Sequence, residues 1–114
     1  MGNFNIPTDK AIANKARTFI TDNLSHPFSL PGLAAACEVT PYTLKRVFKK
    51  IYGQSIAEFS LQIRMEKAKE LLVNTNNTLQ MIAEAVRYTE GTNFQNIFKR
   101  TVGVTPGEWR RKAS

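Results

Sequence analysis

Cysteine, histidine and acidic residues are scarce in this sequence of 114 residues, which has one cysteine, one histidine and nine aspartates and glutamates. A single cysteine can form neither an internal disulfide nor a cysteine-rich zinc site, and we expect no bound metal and no cofactor. An enzyme would need a nucleophile with a base, a metal set or a glycine-rich phosphate loop, whereas the carboxylates here are scattered and the glycines form no such loop. We therefore predict that the chain is not an enzyme.

Long apolar runs and strand-like alternation are also missing. No stretch reaches the roughly 18 apolar residues of a membrane span, and the start MGNFNIPTDK lacks the charged and apolar regions of a signal peptide. No segment shows sustained alternation rich in β-branched residues, so strands are not expected. We expect a soluble, cytoplasmic, all-α protein with no membrane partner.

Positive charge is what the sequence has in excess, since sixteen lysines and arginines give a net charge of +7. Such a balance favours a polyanionic partner such as nucleic acid or an anionic membrane surface. The stretch YTLKRVFKK concentrates this charge, because Leu44, Val47 and Phe48 share one helical face and the basic side chains take the other. The basic residues of that outer face are Lys45, Arg46, Lys49 and Lys50.

Helix signals follow one another along the chain. The expected N-caps are Thr8 or Asp9, then Ser29, then Thr40 with Pro41 at the first helical position. The first helix should stop before His26-Pro27, and a longer helix should run from Ser55 or Ile56 to about Val73. Its expected apolar stripe is Phe59, Ile63, Ala68, Leu71 and Leu72.

The chain contains an internal repeat. LAAACEVTPYTLKRVFKKIYG, from Leu33 to Gly53, aligns with IAEAVRYTEGTNFQNIFKRTVG, from Ile82 to Gly103, if the second copy has one extra residue in its turn. Each copy predicts a short helix, a tight turn and a second helix with basic residues in its later half, which is typical of a helix-turn-helix unit. One copy would be a weak indication because any two packed helices can imitate it, but two copies are much stronger.

The geometry of duplex DNA explains why one chain would carry two such units. The second helix of each unit fits the major groove, where base edges identify the sequence, and flanking Lys and Arg neutralise phosphates. Successive major-groove faces recur about 34 Å apart, and a connecting helix of some 18 residues spans roughly 27 Å. We predict an N-terminal subdomain at 1–54, a linker helix at 55–74 and a C-terminal subdomain at 75–114.

Residues from about Phe28 to Arg111 resemble the DNA-binding region of the AraC/XylS family of bacterial transcription regulators. The second copy matches the family pattern at Ile82, Ala83, Val86, Tyr88, Phe94, Phe98, Lys99, Arg100, Gly103, Thr105, Pro106, Glu108, Trp109 and Arg110. The resemblance implies a homeodomain-like, all-α domain of about seven helices over residues 8–112, in which recognition helices at about 41–51 and 91–101 enter successive major-groove segments. Glu38 and Arg87 stand where the family commonly has glycine, and a left-handed backbone at either would cost on the order of 1 kcal/mol.

The resemblance also implies roles for individual residues. Those placed toward bases are Tyr42, Lys45 and Arg46 in the first recognition helix and Thr92, Asn93, Gln95 and Asn96 in the second. Those placed near phosphates are Thr43, Lys49, Lys50, Lys99 and Arg100. Because Arg and Lys suit guanine while Gln and Asn suit adenine, we expect two unequal half-sites.

Other residues have a plainer interpretation as structure or as surface. Those expected in the core are Leu44, Val47, Phe48, Phe94, Phe98 and Trp109. Cys37 matches Val86 in the repeat and is expected to be a small buried hydrophobe, while His26 is expected to be a turn residue. A lysine outside the recognition helices, such as Lys67, Lys69 or Lys112, is expected to be a solvated surface charge.

The expected partner is double-stranded DNA at a promoter or operator, and RNA polymerase is a second candidate partner. The alternatives are a basic protein–protein adaptor and a non-specific nucleic-acid-binding module; either would explain the charge, but not two recognition-type helices at a fixed period. The chain fits a C-terminal domain excised from a longer regulator, which we favour, or a small single-domain regulator. We expect this chain to be monomeric and a full-length regulator to dimerise through a further domain.

Overall fold

Seven helices and no strand are present in the computed structural model, which describes residues 7–24, 29–87 and 91–113, without the side chains of residues 91 and 92. The helices are α1 (Asp9–Asp22), α2 (Leu30–Ala36), α3 (Pro41–Tyr52), α4 (Ile56–Asn74), α5 (Leu79–Ala85), α6 (Gly91–Val102) and α7 (Pro106–Ala113). The all-α prediction is confirmed, while His26, Pro27 and Tyr88 lie outside the described residues. No helix in the described part of the chain is long and apolar enough to cross a membrane.

Side-chain caps define where most of these helices begin. Thr8, Ser29, Thr40 and Thr78 each accept a hydrogen bond from the backbone N–H three residues further on. Such a cap satisfies a backbone donor that the helix itself leaves unpaired and contributes about 1 kcal/mol. The caps predicted at Ser29 and Thr40 are confirmed, and of the two candidates for α1 the cap is Thr8.

The helices α4 and α7 begin with reciprocal capping boxes. The backbone N–H of Ser55 donates to the Glu58 carboxylate at 2.8 Å, and the N–H of Glu58 donates to the Ser55 hydroxyl at 3.0 Å. Thr105 and Glu108 make the same two bonds at 3.0 and 3.1 Å. Both boxes follow a glycine with positive φ, Gly53 at 73° and Gly103 at 102°, so each recognition helix ends and the next helix starts by the same local device.

The described helices belong to two compact units. The first unit contains α1, α2, α3 and the start of α4 up to Ser60, and the second contains α4 from Leu61 together with α5, α6 and α7. One helix, α4, therefore supplies both the closing helix of the first unit and the leading helix of the second. Each unit has a leading helix, a helix-turn-helix pair and a closing helix.

The leading helices show that the internal repeat extends beyond the helix-turn-helix pair. At an offset of 52, three of the four buried residues of α1 match buried residues of α4: Ala13 with Met65, Ala16 with Ala68 and Ile20 with Leu72. Both helices also end alike, because Asn23 donates a side-chain bond to the carbonyl four residues back at 2.8 Å and Thr75 does so at 2.6 Å. The repeat therefore includes the whole four-helix unit.

Each unit has its own apolar core. The buried residues of the first unit are Ile12, Ala13, Ala16, Ile20, Leu33, Ala34, Cys37, Leu44, Val47, Phe48 and Phe59. Those of the second are Met65, Ala68, Leu72, Ile82, Ala83, Val86, Phe94 and Phe98. Of the predicted stripe of α4, Ile63 and Leu71 are only half-buried, and Met65 is buried although the pattern did not single it out.

Two of the residues expected in the core need separate comment. Cys37 is buried as expected, and desolvation raises the pKa of its thiol. Trp109 is half-buried, so its assignment to the core was wrong in part: one edge packs against Phe98 at a centroid distance of 6.4 Å, while the Lys69 ammonium lies 4.9 Å from the ring centroid. Because the ring is only half-buried and has a cation over it, Trp109 lies at the border of the core rather than within it.

The turn between the two helices of each unit has a left-handed residue. Glu38 has φ 58° and Arg87 has φ 75°, at the positions where the family resemblance places glycine. A side chain in this conformation brings its Cβ close to the backbone, with a cost of roughly 1–2 kcal/mol. Both turns therefore have a left-handed residue although neither has glycine, the residue that adopts this conformation most easily.

Candidate nucleic-acid interface

The helix α3 presents a continuous polar face opposite its buried side. It buries Leu44, Val47 and Phe48 completely, and the opposite face consists of Tyr42, Lys45, Arg46 and Lys49, all exposed. Tyr42 is 76% exposed, which is unusual for so large a ring. Lys45 and Arg46 make no ion pair with any carboxylate of the described residues, so their donors are available to an external acceptor.

The two lysines in the last turn of α3 have carboxylates nearby. The Lys49 ammonium lies 3.9 Å from the Glu58 carboxylate, and the Lys50 ammonium lies 3.0 Å from that of Asp9. The longer distance leaves Lys49 able to reach a phosphate, whereas Lys50 already has a hydrogen-bonded counter-ion. Among the residues expected near phosphate, Lys50 is therefore the one with a strong internal partner.

Thr43 is held by the start of its own helix. Its backbone N–H donates to the Thr40 hydroxyl oxygen at 3.2 Å, and its hydroxyl accepts a hydrogen bond from that of Thr40 at 3.0 Å. The side chain is half-buried, so its reach toward a phosphate is limited. The cap also occupies the backbone N–H of Thr43, so that donor would serve a phosphate only if the cap were displaced.

The helix α6 presents the equivalent face with different chemistry. Phe94 and Phe98 are fully buried, and Ile97 is half-buried. The exposed residues are Asn93, Gln95, Asn96, Lys99 and Arg100. The fourth residue expected toward bases, Thr92, has its side chain outside the described residues. This face therefore offers neutral amides at its centre and two cations at its C-terminal end.

The capping glutamates add fixed negative charge near Lys49 and Lys99. The pKa of Glu58 is lowered first by the backbone and hydroxyl hydrogen bonds of Ser55 and then by the charge of Lys49. Glu108 has its pKa lowered by the same two bonds from Thr105, with smaller contributions from Arg111 and Lys99. Both carboxylates stay ionised well below neutral pH, so they temper the positive potential at the end of each recognition helix.

Arg110 is a structural residue that the motif comparison did not explain. Its guanidinium donates to three backbone carbonyls in the last turn of α4 and just after it: to Leu72 at 3.0 Å, to Thr75 at 3.2 Å and to Asn77 at 2.8 Å. These carbonyls lack helical partners, and a planar guanidinium can serve several at once. Ser60 holds the equivalent position in the first unit, so the second unit alone has this anchor.

Among the described residues, no group of three or more His, Cys, Asp and Glu side chains is arranged to hold a metal ion. Each unit instead presents one exposed polar face, which we call its recognition face. It consists of Tyr42, Lys45, Arg46 and Lys49 on α3 in the first unit, and of Asn93, Gln95, Asn96, Lys99 and Arg100 on α6 in the second. Such faces combine cations for phosphate oxygens with donors and acceptors for base edges.

Comparison with known proteins gives these faces a family context. Residues 33–112 match the family model described as a helix-turn-helix domain. Over 93 residues, 82% of its length, the chain is 34% identical to the bifunctional transcriptional activator/DNA repair enzyme AdaA of Bacillus subtilis. The chain spans 44% of that protein, and less than half of the length of the next curated relatives as well.

Solved structures show the same fold. The chain is similar to the C-terminal domain of AraT, a response regulator from Geobacillus stearothermophilus, with 36% identity and a TM-score of 0.85 over 89% of this chain and 84% of that one. It is also similar to the C-terminal domain of the two-component response regulator yesN from Fusobacterium nucleatum, with 31% identity and a TM-score of 0.78 over 83% of this chain and 93% of that one.

Proposed function

Because the chain belongs to the AraC family of helix-turn-helix transcription regulators, we propose that it binds double-stranded DNA at specific sequences and thereby regulates transcription. The observation that carries this proposal is the pair of exposed polar faces on α3 and α6, each backed by buried apolar residues of the same helix. Packing of the apolar side fixes the orientation of each helix, and the exposed side contacts base edges in the major groove.

In the first unit, Arg46 and Lys45 read guanine edges while Tyr42 makes apolar and hydroxyl contacts to neighbouring bases. Arg46 suits this role because its guanidinium is exposed and has no ion pair among the described residues. Lys49 neutralises a phosphate, with Thr43 near the same strand. In the second unit, Gln95, Asn96 and Asn93 read adenine edges, Thr92 lies beside them, and Lys99 and Arg100 bind phosphates.

One chain reads two blocks of sequence in this scheme. Each unit inserts its recognition helix into one major-groove segment, and segments on one side of the duplex recur about 34 Å apart. Since the two faces differ in chemistry, the two blocks differ in base preference. The site is therefore not palindromic, and a single chain suffices to bind it.

The remaining parts of the proposal concern the protein as a whole. We assign this chain the DNA-reading part of a cytoplasmic regulator, with RNA polymerase as a second partner, and no catalytic role. Where a further domain is attached, it would provide dimerisation.

Selection from a random duplex library tests the proposal. The purified chain is incubated with the library, and the enriched sequences are compared in affinity with random DNA at one fixed salt concentration. We expect two enriched blocks whose centres lie about one helical turn apart. Binding that fades with salt and enriches nothing would contradict the proposal and favour a non-specific nucleic-acid-binding module; retention of a protein partner without DNA would favour an adaptor.

Two alanine variants of α3 separate base reading from phosphate binding. Arg46→Ala should weaken binding to the selected site by roughly 1–3 kcal/mol and relax the preference at one base pair. Lys49→Ala should weaken binding to every sequence alike, since a phosphate carries no sequence information. Equal losses of Arg46→Ala on selected and random DNA, measured by fluorescence anisotropy, would contradict the assignment.

A further inference from the structure

Lys50 and Arg100 hold equivalent positions in the last turns of α3 and α6, yet their surroundings differ. The Lys50 ammonium is hydrogen-bonded to the Asp9 carboxylate at 3.0 Å, whereas Arg100 makes no ion pair with any described carboxylate. The offset of 52 between the leading helices places Leu61, an uncharged residue, where the first unit has Asp9. The carboxylate is therefore particular to the first unit.

The position of Asp9 is determined by the fold of the first unit. It is the first residue of α1, directly after the Thr8 cap, and α1 packs against α3. Further along α1, Asn14 accepts a hydrogen bond from the Tyr52 hydroxyl at the end of α3. These two polar links join the start of α1 to the last turn of α3, so the carboxylate is held beside Lys50.

Stability gives a weak reason for such a pair. The Lys50 side chain is 63% exposed and that of Asp9 is 38% exposed, and ion pairs this accessible to solvent contribute little to the free energy of unfolding. The pair has a larger effect on the electrostatic attraction between the first unit and a polyanion. A cation that already has a counter-ion adds little to phosphate attraction, and the carboxylate itself repels phosphate.

We propose that Asp9 is a specificity-determining residue, an inference that rests on the proposed DNA-binding function. By pairing with Lys50 it lowers the attraction of the first unit for any DNA backbone, so that binding there depends on the base contacts of Lys45 and Arg46. Discrimination between partners is gained as much by weakening wrong complexes as by strengthening the right one. In the second unit, Lys99 and Arg100 supply the general backbone affinity.

The test measures affinity for the selected site and for random duplex DNA over a range of salt concentrations. Asp9→Asn should bind random DNA about threefold more tightly at low salt, and its affinity should fall about threefold further between roughly 50 and 200 mM salt, the effect of one added phosphate contact. The preference for the selected site over random DNA should shrink by up to the same factor. Asp9→Glu should behave as the wild type because it keeps the charge.

Three further variants make the result specific to the pair. Asp22→Asn removes the same charge from the other end of α1, at an exposed residue, and should change the salt slope less. The other two variants are Lys50→Gln and the double variant that combines it with Asp9→Asn. Adding Asp9→Asn to Lys50→Gln should change the DNA affinity and the salt slope much less than it does in the wild type, because the Lys50 cation that the substitution would release is absent. Circular dichroism of each variant confirms that the helices are retained.

The outcomes separate this inference from the function on which it rests. Equal affinity of the wild type for selected and random DNA would overturn the proposed function, and this inference with it. A wild type that prefers its site, with an Asp9→Asn variant whose affinity and salt slope are unchanged, would overturn the inference alone. An equal gain in Asp22→Asn would also overturn it, because the effect would then be one of net charge.

Discussion

The two units share one arrangement of helices and differ in the chemistry of their recognition faces. In the first unit the face has Lys45 and Arg46 at its centre and an ion-paired Lys50 at its end. In the second the centre has Gln95 and Asn96. The repeat preserves the apolar residues that position α3 and α6 and varies those that point outward, so one architecture presents two different sets of polar side chains.

The closing helices show a second difference. Both start from a capping box, and both bring a ring against the recognition helix: Phe59 lies 5.5 Å from Phe48, and Trp109 lies 6.4 Å from Phe98. Only the second unit adds the Arg110 anchor to the backbone carbonyls at the C-terminal end of α4. The first unit instead buries Ser60 at that position. The contacts that hold the closing helix therefore differ between the units: Arg110 bonds to backbone carbonyls in the second, and Ser60 is buried at the equivalent position in the first.

The largest expected effect tests whether the apolar core of each unit is equally important for its stability. Phe48→Ala and Phe98→Ala each remove a fully buried ring and should lower the free energy of unfolding by about 3–5 kcal/mol. Urea unfolding followed by circular dichroism measures both. A loss below about 1 kcal/mol in either variant would show that the ring is not part of a tightly packed core.

The next effect is confined to the second unit. Arg110→Met should lower the free energy of unfolding by about 2 kcal/mol, because three backbone carbonyls lose a charged donor. Lys112→Met, an exposed residue of the same helix, is the matched control and should change stability by less than about 0.5 kcal/mol. Equal effects of the two substitutions would mean that the anchor contributes nothing beyond charge.

Glycine at the left-handed turn residue of each unit should raise the free energy of unfolding, and by a similar amount in both units. Glu38→Gly and Arg87→Gly relieve a left-handed backbone that costs roughly 1–2 kcal/mol, but they also add freedom to the unfolded chain at about 0.4–1 kcal/mol. The net expectation is a stabilisation of about 0.5–1 kcal/mol at each site. Destabilisation by either substitution, measured by thermal unfolding, would show that the side chain itself contributes to the turn.

The smallest effect is a pH dependence that both capping boxes should share. The folded-state pKa of Glu58 and that of Glu108 lie below the ordinary glutamate value. Their contribution to stability is therefore complete above that value and is lost as the pH falls through the lowered pKa. Glu58→Gln and Glu108→Gln keep an acceptor for the cap, so the acid limb of the stability curve should become flatter in each. An unchanged acid limb would contradict this account of the two glutamates.

Local signals predicted much of this architecture, whereas contacts distant in sequence did not follow from them. The Thr40 cap with Pro41 predicted the start of α3, and its apolar spacing predicted which side would be buried. The pair of Asp9 and Lys50 joins residues 41 positions apart, so no short pattern indicates it. Sequence similarity does not indicate the extended repeat, because the leading helices share buried positions but few identical residues.

The candidate site shows the same division. Exposure of the residues expected toward bases in α3 agrees with the predicted face, because helical period alone determines which side chains oppose the core. The limits on Thr43 and Lys50 come from their hydrogen bonds to Thr40 and Asp9. The Thr43 bond belongs to the local Thr40 cap, whereas the Lys50 bond depends on how α1 packs against α3, which periodicity does not describe.

The central claim is that the two faces read two separate blocks of DNA, and one measurement tests it directly. Base preference is measured at every position of the selected site for the wild type, Arg46→Ala and Gln95→Ala. The account predicts that Arg46→Ala loses preference within one block and Gln95→Ala within the other, with the remaining block unchanged in each case. Loss of preference at the same positions in both variants, or a uniform loss at all positions, would contradict it.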